Sequence, residues 1–457
     1  MAKNKKGQID SREARRKRRI KNVILAYIFM VVVLAAVGAG GFFAVRAVKG
    51  TIEDKKAQIR AEEEAIIQAQ LAEQERLEAE AEAQREAAMA AAEEAEIIEE
   101  EVEEYSEDDL LNEVVQSCID DMSIEDKVAG LFIVTPEQLT KTDKVTKAGD
   151  GTKEAIEKYP VGGLVYSSQN IKDADQLTEM LANTVSYSKY PVFLAASEGL
   201  GDDSILRKTL KIEAPKSAKD IGESGDANLV YESYKSIGEY MTTYGFNLDL
   251  GISADLIIDG VKSPLDGKMF SGDVTLTSNL VSSAIEGLAE SSVFSAIGCF
   301  PGQGSVAANT AEGLASSDRP GSDFIENDIK VFESGIEAGA DMLMVGHFSA
   351  SGLTGDETTP CSMSKDIMTE LLRVERQYDG VIITDSMSKK AITEYYGADE
   401  AAVKALKAGA DMILAPEDFE LAYNAVVDAV KDGTISEQRI NDSLARVYRL
   451  KYRSTIE

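Results

Sequence analysis

GVIITD, residues 380–385, is an apolar run closed by a carboxylate. Nothing in it alternates, so it does not read as a strand with one wet face. Runs that are apolar throughout are what strands covered on both faces look like. Seven further runs share the texture: GLFIV (130–134), VGGLVYS (161–167), PVFLAAS (191–197), FNLDLGISADL (246–256), VFSAIGCF (293–300), DMLMVGHF (341–348) and DMILAP (411–416). Amphipathic stretches such as LTEMLANTVSYS (177–188) and DIMTELLRVERQY (366–378) lie between them. Eight β-then-α units over roughly 340 residues predict an α/β fold, a (β/α)8 barrel of the TIM type, and not an open sheet. EAGADMLMVG (337–346) and KAGADMILAP (407–416) echo one another. In each a helix stops at a glycine and drops straight into a strand, so the two copies read as successive barrel units without shared chemistry.

In such a barrel the strand C-termini form the active face. Their last residues are Ser197 and Glu198, Asp255, Cys299 with the loop AIGCFPGQGSV (296–306), His347, and Asp385. Asp385 is the strongest chemical candidate, because a carboxylate closing an apolar strand is costly to bury without partners. An N-cap for the following SKKAITEYY accounts for the same residue, since Asp is a favoured cap. Both readings stand on the residues alone.

The flanking sequence predicts the setting. The chain of 457 residues carries a net charge of −32, with the acidity concentrated between about 51 and 126. Residues 1–22 are instead basic, and Val23 to Val45 carries no charge. Roughly 20 such residues cross a bilayer, and cations before the span place the N-terminus in the cytoplasm. We therefore expect a cytoplasmic tail over 1–22, a transmembrane helix over 23–45 serving as membrane anchor, and residues 46–457 outside. The basic cluster then does not imply nucleic acid. A cleaved signal peptide is the competing reading, although the run exceeds the usual h-region of about 7–15 residues. Residues 46–108 read as an acidic helical stalk: Thr51 to Ser123 has no Gly or Pro, and Ile52, Ile59 and Ile66 hint at a coiled-coil seam for self-association. An acidic disordered spacer is the alternative. Cys118, Cys299 and Cys361 give no disulfide framework, though two could pair. No metal site and no cofactor are expected.

The globular part, 109–457, resembles the catalytic barrel of the family 3 glycoside hydrolases, nearest the bacterial β-N-acetylhexosaminidase branch. MSIEDKVAGLFIV (122–134) is similar to that family's opening helix and first strand, and PVGGLVYSSQNI (160–171) to its V-G-G segment. ENDIKVFESGIEAGADMLMVGH (326–347) resembles E-x-D-L-x-P-F…A-G-A-D-x-hydrophobic-M-x-x-H. DGVIITDSMSKKAI (379–392) is similar to D-G-hydrophobic-hydrophobic-x-[ST]-D-[DS]-hydrophobic-x-M-x-x-[AI].

The resemblance implies that Asp385 is the nucleophile of a retaining mechanism, attacking the anomeric carbon to form a glycosyl-enzyme that water hydrolyses. It implies a glycan substrate contacted by Ser197, Glu198, Lys268, Cys299, Gln303 and His347. The chain also departs from the pattern. CFPGQGSV stands where the family has K-H-F-P-G-H-G, so Gly298 and Cys299 replace Lys and His. Ser197 occupies an Asp position, and Lys268 an Arg position. The loop AANTAEGLASSDRP (307–320) lacks the family's D-x-H acid/base, leaving Glu312 and Asp318 as proton-donor candidates. Each charge-assisted bond contributes roughly 1.5–3 kcal/mol, and general acid catalysis about 10²–10⁴-fold. Two functions follow: an anchored glycosidase acting on cell-surface or cell-wall glycans, or a catalytically degenerate barrel that binds a glycan or protein. A third makes the stalk an oligomerising element with the barrel as cargo.

Overall fold

The computed structural model describes residues 107–201 and 204–456. The expected tail, membrane span and all but the last two residues of the stalk lie outside that range. Among the described residues no helix is long and apolar enough to cross a membrane.

All eight expected runs are strands: β1 Phe132–Val134, β2 Gly163–Val165, β3 Phe193–Ala196, β4 Leu248–Ser253, β5 Phe294–Phe300, β6 Met342–Val345, β7 Val381–Thr384 and β8 Ile413–Leu414. Each pairs in parallel with its sequence neighbour, and β1 also pairs with β8. A bridge between Ile383 and Met412 brings β7 to β8 and closes the ring. The side chains explain the unbroken apolar runs. Ile133, Phe193, Phe294, Met342, Ile383 and Met412 fill the barrel interior. Their neighbours Phe132, Val134, Ile297, Leu343, Val345 and Ile382 point outward into a second core beneath the helices. Both alternating faces are dry, so the period of two disappears from the sequence.

Val447 and Leu450 of the C-terminal helix, Glu437–Ile456, plug the base of the barrel. The first described helix, Glu107–Asp120, packs against that helix. The echoed segments feed β6 and β8, the sixth and eighth strands, and are not successive. Their aspartates do the same structural job. Asp341 accepts from the Ser295 N–H at 2.8 Å, and Asp411 from the Ile382 N–H at 2.9 Å. Each thus ties its strand entry to the preceding strand, and each is paired with an arginine of the C-terminal helix, Arg453 and Arg446. All three cysteines are free thiols, so no pairing is realised.

Candidate active site

Strand β7 carries Asp385 out at the mouth of the barrel. Its N–H still donates to the Val345 carbonyl of β6 at 2.9 Å, so the backbone is fixed by the sheet where the side chain leaves it. The carboxylate is buried. Oδ1 accepts from the Ser386 N–H at 2.7 Å, and Oδ2 from the Lys389 ammonium at 2.5 Å. Burial pushes the Asp385 carboxyl up, but Lys389, His347 and the Ser386 N–H together hold the pKa below the ordinary carboxylate value. Burial likewise pulls the Lys389 ammonium down, and Asp385 reverses that, leaving its pKa raised. The next helix starts at Lys390 with Lys389 at the cap position, and no side chain caps it. The N-cap reading of Asp385 therefore does not hold.

His347, at the end of β6, is fully buried. Its Nε2 lies 2.9 Å from the Ser386 carbonyl and its Nδ1 2.7 Å from the Ser362 hydroxyl. Burial lowers its pKa to about 4, so the ring is neutral at pH 7 and carries one N–H. A carbonyl only accepts, so the proton is on Nε2, and Nδ1 accepts from Ser362. Both nitrogens are spent on the protein, which leaves His347 as a support beneath the turn that follows Asp385 and not a free proton donor.

Asp255, just beyond β4, organises the Pro-Gly loop. Oδ2 accepts from the Cys299 N–H at 2.9 Å and Oδ1 from the Gln303 N–H at 2.6 Å. Burial raises its pKa to about 6 while these donors pull it down. The loop they hold contains cis peptides at Gly298–Cys299 and Phe300–Pro301. Gly302 adopts φ +130°, where a Cβ would lie 2.4 Å from Asp328 Oδ1. A Cβ on Gly304 would lie 1.9 Å from the Leu256 carbonyl oxygen. These glycines are required by close approach.

The remaining expected residues divide. Cys299 lies beside Asp385, and burial, with Asp385 and Asp255 adding to it, pushes its thiol well up, while Lys389 and Lys268 oppose the shift. Gln303 is buried with its side-chain oxygen unpartnered. Ser197 and Lys268 are exposed. Glu198 is buried and turned away into protein donors: Ser204 Oγ, Tyr240 Oη at 2.6 Å and the N–H groups of Ile205 and Leu206 at 2.9 and 3.0 Å. Glu312 and Asp318 are exposed on the 307–320 loop. That loop is tied down by the Ala391 N–H donating to the Thr310 carbonyl at 3.0 Å and by pairing of Ser316–Ser317 with Ser349–Ala350. Sequence reasoning missed Lys389. The signal was present, since Lys389 is the fourth residue after Asp385 and stands where the pattern matched by 379–392 has Met.

The sequence and the barrel are both matched by known proteins. The family described as "Glycosyl hydrolase family 3 N terminal domain" matches residues 123–450. The chain belongs to this glycoside hydrolase family. It is 24% identical over 326 residues to beta-hexosaminidase A of Pseudoalteromonas piscicida, covering 65% of this chain and 54% of that protein. It is 25% identical over 339 residues to beta-hexosaminidase LpqI of Mycobacterium tuberculosis, covering 72% and 83%. A family 3 β-N-acetylglucosaminidase structure from a Paenibacillus species superposes with a TM-score of 0.66 and 26% identity, covering 73% of this chain and 63% of that one. The chain thus spans little more than half of the first relative and under two thirds of the structure.

Proposed function

We propose that the barrel is a retaining glycoside hydrolase of the β-N-acetylhexosaminidase kind, with Asp385 as nucleophile. The observation that carries this is the ionised, buried Asp385 fixed at the end of β7, on the face where barrel enzymes place their chemistry. A carboxylate is the nucleophile that retaining glycosidases use. Family membership and the names of the relatives supply the substrate class. The proton donor would come from Glu312 or Asp318 on the loop beside the mouth, since His347 is fully engaged. Ser197, Lys268, Cys299 and Gln303 would meet the sugar.

We further propose that the domain works outside the cell membrane on surface or cell-wall glycans, anchored by residues 23–45. The uncharged span and the basic residues before it support that reading. A stalk over 46–108 would hold the barrel off the bilayer and provide the surface for self-association.

A second reading, a non-catalytic barrel binding a glycan or a protein, is favoured by one observation: the nucleophile's carboxylate is closed off by Lys389. The full chain, incubated with a panel of aryl β-glycosides including the N-acetylglucosaminide, separates the two. Turnover that Asp385→Asn reduces to background is the expected result. No turnover on any sugar by the folded chain would leave the binding reading.

A further inference from the structure

The two oxygens of Asp385 are unequal. Oδ1 is turned to the Ser386 N–H of its own backbone, whereas Oδ2 meets the Lys389 ammonium, whose side chain is 30% exposed against 8% for the carboxylate. The ammonium therefore lies on the outward side of the pair. Its position is not loose. The Lys389 N–H donates to the Ser386 carbonyl at 3.1 Å, the same oxygen that His347 holds. The Lys389 carbonyl accepts from Ile392 and Thr393 at 2.9 and 3.1 Å, and Ala391 is tied to Thr310 of the mouth loop.

We infer that Lys389 is a latch on the nucleophile, occupying the outer oxygen of Asp385 so that a sugar must displace the ammonium before the carboxylate can attack. The inference rests on the glycosidase reading above. Its direction follows from charge accounting. In the first step an Asp385 oxygen bonds to the anomeric carbon, the glycosidic C–O bond breaks, and the leaving oxygen keeps that electron pair. The carboxylate's negative charge is consumed as the ester forms. An ammonium paired with it is thus attracted more strongly in the ground state than in the transition state. Interactions of that kind raise the barrier. Lys389 is accordingly a positioning residue and a brake, and it acts through Asp385.

The test uses the full chain and an aryl β-N-acetylglucosaminide whose phenolate leaves without a proton donor. Lys389→Met and Lys389→Arg are compared with wild type over pH 3–8, with Asp385→Asn as the blank. Lys389→Gln serves if the Met variant unfolds. Lys389→Met is expected to raise kcat/KM about tenfold or more and to move the acid limb to higher pH, as removal of an opposite charge requires. Lys389→Arg is expected to keep the wild-type rate and limb. The groups around Asp385 that titrate or carry charge are Lys389, His347 and Cys299, with Asp255 and Lys268 beyond them, facing Cys299. Of these only Lys389 is changed. Wild-type turnover with an unchanged or slower Met variant overturns the latch and leaves the glycosidase reading standing. Silence in wild type with turnover in the Met variant supports both. Silence in both overturns the glycosidase reading, and the latch falls with it.

Discussion

His347 supports Asp385 through the backbone beside it: its Nε2–H donates at 2.9 Å to the carbonyl of Ser386, the residue whose own N–H bonds Asp385 Oδ1 at 2.7 Å. The imidazole fixes the peptide that aims the Asp385 carboxylate. Its folded pKa of about 4 lies below the ordinary value near 6.5, because burial disfavours the cation. A depressed His contributes stability that is present above about pH 6.5 and lost as pH falls towards 4. Integrated over that window the loss is about 3 kcal/mol. Urea titrations of wild type and His347→Gln should show it in their difference: the stability wild type holds over the variant at pH 7 should shrink by pH 4.5. A difference independent of pH across 4.5–7 would contradict the neutral buried ring.

The sequence made the frame legible and half of the site. Eight strands could be read because a barrel wall is dry on both sides, and that burial is written as unbroken apolar residues. Asp385 could be read because a carboxylate is conspicuous at the end of such a run. Lys389 was harder to read: its place at a Met position of the matched pattern marks it, but a lysine four residues on looks like a solvated helix face until the turn brings its ammonium back to Asp385. Glu198 misled in the opposite way. Its strand-end place suggested a sugar contact, but the chain turns it under to hold the short helix Ile205–Leu210. The roles of Asp255 and His347 depend on what faces them from neighbouring strands, which residue spacing along one strand does not carry.

Asp255 should govern the Pro-Gly floor. Its two oxygens separately receive the N–H groups of Cys299 and Gln303. An Asn keeps one acceptor and turns an NH2 against the other N–H, so Asp255→Asn should cost about 1.5–3 kcal/mol. The pH signature differs in sign from that of His347. A carboxyl raised to about 6 is more favourable protonated in the fold, so its contribution is full below about pH 3.9 and lost as pH rises to about 6. The variant should lose that component of the slope. Asp328, raised to about 7 by burial against the opposing pull of Arg319, retains its own. Chemical denaturation of both proteins from pH 4 to 7 measures the difference.

Gly304 tests whether the loop is held by close approach. A Cβ there would sit 1.9 Å from the Leu256 carbonyl oxygen, a backbone atom that cannot swing aside. Gly304→Ala should destabilise the barrel by about 1–3 kcal/mol and reduce sugar binding, since Gln303 precedes it. Gly339→Ala provides the comparison. That residue has φ +98° but nothing within 4 Å of an added Cβ, so its cost should come from backbone strain alone and leave binding intact. Thermal midpoints and sugar titrations of the two variants distinguish crowding from strain.

At the opposite end of the barrel, Lys451 of the C-terminal helix is buried with its ammonium 2.7 Å from the Gly162 carbonyl and over the rings of Phe193 and Tyr448 at 4.6 and 5.0 Å. No carboxylate pairs with it among these contacts, and burial lowers its pKa to about 7. A depressed lysine favours the fold fully above its unfolded value near 10.4, and that advantage is lost as pH falls towards 7. The desolvation cost at neutral pH is on the order of 4 kcal/mol. Methionine matches the stem and makes favourable sulfur contacts with aromatic rings. The Gly162 carbonyl keeps a partner, since it also accepts from the Phe193 N–H at 3.0 Å. Lys451→Met should therefore raise the urea midpoint at pH 7, with a gain that shrinks as pH approaches 10. The site residues lie at the other mouth, so turnover or sugar binding should not change. An equal or lower midpoint at pH 7 would show that the two ring contacts and the carbonyl outweigh the desolvation of the ammonium.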